Sequence, residues 1–240
     1  MRKIISLCVV YCTAFLCLAT NIVYANSIIM LDPGHTKIRY GTKSCSGGHE
    51  FQYNNEMTDF IEEYLKNNNI QVLKTRSVNQ EISLKGRTEN SSGKALFISI
   101  HHDSAQEKYI SYENGNPCSN YASGYSIFVS RKNPFFEDSL QYAKILGRNL
   151  RRLGLTPTLH HAEKIHGENR ELIDKELGIY RFDDLVVLRT AKCPAVLFES
   201  GVIINPYDDQ LVKTHEYKNK VAESMLEMVK TAIVKKNDNK

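Results

Sequence analysis

The sequence predicts a single α/β domain: a mixed, mostly parallel sheet flanked by helices on both faces. Short apolar runs alternate with longer stretches of helical periodicity, the order that builds parallel sheets. Several of those runs are apolar throughout, as strands covered on both faces are. Setting aside an N-terminal leader, the chain of 240 residues has the length of one large domain.

The elements follow in order. Ser27-Ile28-Ile29-Met30-Leu31 is a buried strand stopped by Asp32-Pro33-Gly34. Residues 54–69 read as a helix, because Met57, Phe60, Ile61, Tyr64 and Leu65 form one apolar stripe. Ile70 to Leu73 is the next strand, and a short helix over 84–90 follows with Ser83 as its N-cap. Ala95 to Ile100 is a strong strand running straight into His101-His102-Asp103. Residues 104–122 are a polar loop, and 125–129 a strand. Leu140, Ala143, Leu146, Leu150 and Leu153 mark a helix closed by Gly154. A polar stretch over 160–184 is expected to hold a helix from Glu168 to Leu177. Residues 185–188 and 195–198 are the last two strands, and Val221, Met225, Val229 and Ile233 mark a terminal helix.

Composition excludes some function classes. Without Arg2 and Lys3 the 31 basic residues fall to 29, against 27 acidic ones. That balance is too even for a dedicated nucleic-acid footprint. Hydrophobic residues at 42% and charged residues at 24% exclude a disordered chain.

Residues 1–25 read as a secretory signal peptide. Met1-Arg2-Lys3 is basic, Ile4 to Leu18 is apolar and uncharged, and Val23-Tyr24-Ala25 places small residues before a cut. An uncleaved anchor helix is the alternative. Leu16 before Cys17 does not fit a lipoprotein signal. The expected mature domain is 26–240, exported through the Sec route to the periplasm or beyond. It keeps Cys45, Cys118 and Cys193. Cys45 and Cys118 lie in polar stretches and can pair in an oxidising compartment, whereas Cys193 reads as a small buried hydrophobe.

Polar residues gather where strands end, which is where sites form in open α/β sheets. His35 follows the first strand, His101 the central one and Glu199 the last; Glu50 follows Gly47-Gly48. Two imidazoles and a carboxylate are a common ligand set for catalytic zinc, and a further carboxylate can take a proton from its water. Glu56 competes with Glu50 for the carboxylate role. His101 and His102 are adjacent on a strand and point to opposite faces, so one alone should reach the ion.

The pattern resembles the zinc-dependent N-acetylmuramoyl-L-alanine amidases of the type that includes the bacterial cell-division enzymes. The pieces that carry it are Ile29-Met30-Leu31-Asp32-Pro33-Gly34-His35, Glu50 with Asn54, Phe97-Ile98-Ser99-Ile100-His101, Val187-Leu188-Arg189, and Pro194 to Gly201 with Asn205-Pro206. The resemblance implies His35, Glu50 and His101 as ligands of one zinc ion per chain and Glu199 as the catalytic glutamate. It places His102 beside the ligands rather than among them. The family's common pattern has glycines where Thr36-Lys37 stand and a leucine or alanine at Ser200.

Asp32 is expected to position the His35 loop. Arg76, Arg87 and Arg189 read as ion-pair partners. The 160–183 stretch, with His160, His161, Glu163 and Glu168, is either a solvated surface segment or a regulatory lid over the groove. Expected partners are peptidoglycan and a protein activator, with no nucleic acid and, after signal cleavage, no membrane; a monomer is expected. The competing functions are another zinc peptidase and a metal-free wall-binding module, and the latter would need none of the four site residues.

Overall fold

The computed structural model describes residues 27–238; the expected signal peptide lies outside them. Nine strands and five α-helices follow in chain order: β1 (Ile28–Pro33), α1 (Glu50–Asn67), β2 (Gln71–Lys74), β3 (Leu96–Asp103), β4 (Ser111–Glu113), β5 (Asn116–Cys118), β6 (Ser126–Val129), α2 (Phe136–Arg152), β7 (Glu171–Asp174), β8 (Ile179–Arg181), α3 (Val186–Thr190), β9 (Ala195–Val202), α4 (Pro206–Leu211) and α5 (His215–Asp238). Among the described residues no helix is long and apolar enough to cross a membrane.

Seven strands form one sheet in the order β2-β1-β3-β9-β6-β8-β7, and β4 pairs with β5 in a separate hairpin. The pairs β1–β2, β1–β3, β3–β9 and β6–β8 are parallel; β6–β9 and β7–β8 are antiparallel. The sheet is therefore mixed and mostly parallel, as the apolar runs predict.

Strand alternation divides the core. Ile29, Leu31, Ile98, Val196 and Phe198 face one way and pack with Met57 and Ile61 of α1, Leu146 of α2, and Met225 and Val229 of α5. Met30, Phe97 and Leu197 face the other way, against Val187 and Leu188 of α3. Helices cover both faces unequally: three long ones on the first, the short α3 on the second. The thinly covered face carries the site.

Five expectations change. Residues 104–122, expected as a polar loop, hold the antiparallel β4–β5 hairpin. Residues 185–188 form the start of helix α3 rather than a strand. An apolar run of four fits either state by periodicity, and the surroundings decide it. Asn133, buried, donates to the carbonyls of Leu188, Ala191 and Cys193, which stops the helix and turns the chain into β9.

The helix expected over 168–177 is absent; β7 and β8 form an antiparallel hairpin there. The turn between them is held by Asp174, whose side chain accepts from the Leu177 amide at 3.1 Å, and by Gly178 at φ 64°. Tyr180 of β8 is fully buried and its hydroxyl donates to the Thr158 carbonyl. The helix-forming side chains of Glu171 to Leu177 lose to this turn and to sheet pairing.

Helix α1 starts at Glu50, four residues before the expected start. The Gln52 side chain accepts from the His49 amide at 2.9 Å and closes the first turn. The early start places Glu50, an acidic side chain, in the first turn of the helix. The expected helix near 84–90 is a 3-10 helix over Gly86–Ser91, with Ser83 Oγ accepting from the Gly86 amide.

Cys45 and Cys118 form a disulfide, with Cα atoms 4.8 Å apart. Cys193 is free and buried. The disulfide fixes the loop before α1 to the β4–β5 hairpin. Tyr53 fastens the same loop: its hydroxyl donates to Asp209 at 2.5 Å and meets the Ser44 hydroxyl at 2.8 Å.

Candidate metal centre

His35 follows the carboxyl end of β1 in a left-handed conformation, φ 60°. Its backbone is held by buried arginines. Arg76 donates to the carbonyls of Pro33 and His35, and Arg87 to the same two carbonyls and to Asp32. Asp32 is fully buried and accepts from Arg87 at 2.8 Å, Thr75 at 2.7 Å and Ser99 at 2.7 Å. Asp32 is thus tied to the His35 loop through Arg87. Arg87 is the ion-pair partner foreseen; Arg76 instead serves carbonyl oxygens and Asn55. Arg189, half-buried, donates to the Asp184 carbonyl and pairs with the Asp184 carboxylate at 3.9 Å, as foreseen.

Glu50 joins His35 to His101. Its Oε2 lies 3.0 Å from His35 Nε2, and its Oε1 lies 3.1 Å from His101 Nδ1. The three side chains bring a ligand atom each within 4.8 Å of one another. The backbone leaves room for them by glycine: a Cβ on Gly34 would overlap the His101 ring, and one on Gly41 the Glu50 carboxylate. Burial pushes the Glu50 carboxyl up, but hydrogen bonds from His101 and His35 hold it well below the usual range. His35 is depressed by burial and raised on balance by Glu50. A charged carboxylate between two imidazoles, in a cradle that glycine keeps open, is a donor set suited to zinc.

His102 does not join this group. It points to the α1 side, where its Nδ1 meets Asn54 Oδ1 at 2.8 Å and its ring packs on Tyr53. Burial pushes its pKa down to about 3, so it stays neutral. Asn54 also donates to Glu50 Oε1 at 3.0 Å. It is the tie between His102 and the Glu50 carboxylate, and its i, i+4 spacing from Glu50 is the signal that shows it in the sequence. Glu56, the competing carboxylate, is mostly exposed and pairs with Lys218.

Glu199 on β9 stands in register with His101 on β3. Its Oε2 is shielded from solvent and has no hydrogen-bond partner among the described residues. Burial raises its pKa well above the usual carboxylate value; Asp103 and Glu50 add to the rise, and His161 opposes it.

The 160–183 segment supplies no carboxylate to the His35–Glu50–His101 group. Glu163 accepts from Tyr121. Glu168 accepts from Gln106 at 2.8 Å and lies 2.9 Å from His161 Nδ1. His161 Nε2 lies 2.7 Å from Asp103 Oδ2. Burial lowers the His161 pKa, yet Asp103 and Glu168 carry it up to about 10. In the sequence Asp103 trails the more conspicuous His101-His102 and carries no signal of its own.

A groove of about 330 Å³ opens beside the centre. His35, His101 and Arg39 border it, and Leu185, Val186 and Leu197 give it an apolar wall.

Comparison with known proteins decides the family. Residues 29–231 match the protein family N-acetylmuramoyl-L-alanine amidase. This chain belongs to that family. It is thereby a hydrolase of an amide bond in peptidoglycan. It is 25% identical to the N-acetylmuramoyl-L-alanine amidase AmiA of Escherichia coli over 231 residues, covering 84% of this chain and 74% of AmiA. It is 26% identical to the germination-specific N-acetylmuramoyl-L-alanine amidase of Bacillus subtilis, covering 89% and 83%. The fold matches the crystal structure of the amidase Ami1 from Mycobacterium smegmatis at a TM-score of 0.69 and 20% identity, over 88% of this chain and 99% of that one.

Proposed function

We propose that this amidase cleaves the bond between the lactyl group of N-acetylmuramic acid and the L-alanine of the stem peptide, with His35, Glu50 and His101 holding zinc and Glu199 moving the proton. The observation that carries the reading is the unpartnered Glu199 carboxylate, in register with His101 at the edge of a two-imidazole, one-carboxylate group.

Zinc bound by these residues would bring the pKa of a water molecule to about 7 and polarise the amide carbonyl. Glu199 accepts a proton from the attacking water as its oxygen adds to the amide carbon. It then returns that proton to the nitrogen as the C–N bond breaks. A carboxyl group with a raised pKa suits both steps. Glu50, held ionised by two imidazoles, stays out of the proton traffic. Arg87 and Asp32 keep the His35 loop in place.

Export through residues 1–25, cleaved after Ala25, places the enzyme with its substrate in the periplasm or outside the cell, as a monomer. The Cys45–Cys118 disulfide fits an oxidising compartment. Control by a protein partner belongs to the proposal; its support is the CwlD amidase of Clostridioides difficile, solved in complex with the GerS lipoprotein.

Digestion of intact peptidoglycan by the zinc-loaded protein, with products identified by mass spectrometry, tests the reading. Free stem peptides bearing an N-terminal L-alanine, beside uncut glycan strands, are expected. Shortened peptides still attached to muramic acid would overturn it in favour of a peptidase.

A further inference from the structure

Beyond the first centre, Asp103, His160 and His161 form a second group of metal-ligating side chains, with one ligand atom from each within 4.8 Å of the others. His161 Nε2 and His160 Nε2 lie 2.7 Å and 3.5 Å from the same atom, Asp103 Oδ2. Tetrahedral zinc with bonds of about 2.0–2.2 Å separates its ligand atoms by roughly 3.3–3.6 Å. His160 already stands at that spacing from Asp103, and His161 reaches it by moving away by about 0.6–0.9 Å.

The outer contacts match a metal site as well. Histidines that bind metal through one ring nitrogen usually donate the other to a fixed acceptor. His161 Nδ1 faces Glu168 Oε2 at 2.9 Å, and His160 Nδ1 faces Thr158 Oγ1 at 2.8 Å. Both Nε2 atoms are thereby left to point at Asp103.

An ion pair alone accounts for part of this. An Asp103–His161–Glu168 strut explains His161. It leaves His160 without an explanation: the side chain is 5% exposed, and its Nε2 has no hydrogen-bond partner among the described residues. A buried ring nitrogen aimed at a carboxylate oxygen and bonded to nothing is destabilising unless something fills the gap. A divalent cation fills it, and the carboxylates of Asp103 and Glu168 balance the double charge.

We propose that Asp103, His160 and His161 bind a second divalent transition-metal ion of the zinc type, with Glu168 and Thr158 orienting the two imidazoles. Asp103 ends β3 and the two histidines begin the segment leading to β7. The ion is therefore a clamp that fastens residues 160–168 to the end of β3. The inference does not rest on the assignment of the first centre.

Counting zinc ions per chain after chelator stripping and zinc titration tests it. The wild-type chain is expected to hold two, His160→Asn one, His101→Ala one, and the double variant none. Cobalt added to His101→Ala reports the second site alone, as a visible absorption band that disappears when His160→Asn is added. Should His160→Asn fail to fold, Glu168→Gln serves instead, with second-site affinity about 10–100-fold weaker. One ion in the wild type and in His160→Asn alike, with no cobalt band in His101→Ala, would overturn the site and leave the ion-pair strut. One ion kept in His101→Ala but lost in His160→Asn would uphold this site and remove the first-centre reading instead.

Discussion

His101 and Glu199 occupy the same rung of the parallel pair β3–β9. Both strands sit inside the seven-stranded sheet, and alternation turns both side chains to the face that α3 covers only in part. The relation between the proposed ligand and the proposed proton acceptor is therefore fixed by backbone pairing, not by a loop.

The same alternation separates His101 from His102. His101→Ala should lower zinc content sharply, whereas His102→Ala should retain zinc and lose stability, because Asn54 loses its buried partner. A loss of about 1–3 kcal/mol follows from one unsatisfied buried group. Zinc per chain and urea unfolding of both variants check this; equal zinc loss would contradict it.

Arg87→Met should strand the Asp32 carboxylate in the core. Removing one partner of a buried ion pair costs about 3–5 kcal/mol. The hydrogen bonds to Asp32 from Ser99 and Thr75 remain, so the lower end is expected. Adding Asp32→Asn should recover part of the loss, as a double-mutant cycle by chemical denaturation would reveal.

In the metal-free protein His161 has a folded-state pKa of about 10, above its ordinary value of 6.5. Its contribution to stability is complete below about pH 6.5 and disappears as pH rises toward 10. The wild-type unfolding midpoint should fall over that window more than that of His161→Asn. Parallel curves for the two proteins would show that the pair contributes nothing.

Reducing the Cys45–Cys118 bond should cost about 4 kcal/mol by loop entropy, given its sequence separation of 73. Cys193 is buried, and burial pushes its thiol up to about 12. Protein lacking residues 1–25 should show no reactive thiol until it is unfolded, when a thiol-reactive dye should count one.

Much of this arrangement was legible in the sequence because it is built on strand ends. Ile28 to Leu31, Phe97 to Ile100 and Val196 to Phe198 are largely apolar runs with His35, His101 and Glu199 at or shortly beyond their ends, so strand assignment and site assignment come from the same pattern. What escaped depends on tertiary context. Leu185 to Leu188 carries no periodicity, and Asn133, distant in sequence, settles it as helix. Glu171 to Leu177 has helical composition, and the Asp174–Gly178 turn with the burial of Tyr180 overrides it. Asp103 and His161 meet only because β3 ends beside the 160–168 segment, a contact between residues 58 apart in the chain.

The most direct test of the central claim is a paired measurement on Glu199→Gln: zinc per chain and the rate of stem-peptide release from peptidoglycan. The substitution keeps the shape and removes the proton acceptor. Zinc content should stay at the wild-type value while the rate falls by about 10²–10⁴-fold, the usual contribution of a general acid–base group. A wild-type rate would remove Glu199 from the chemistry, and loss of zinc would make it a ligand and reopen the role of Glu50.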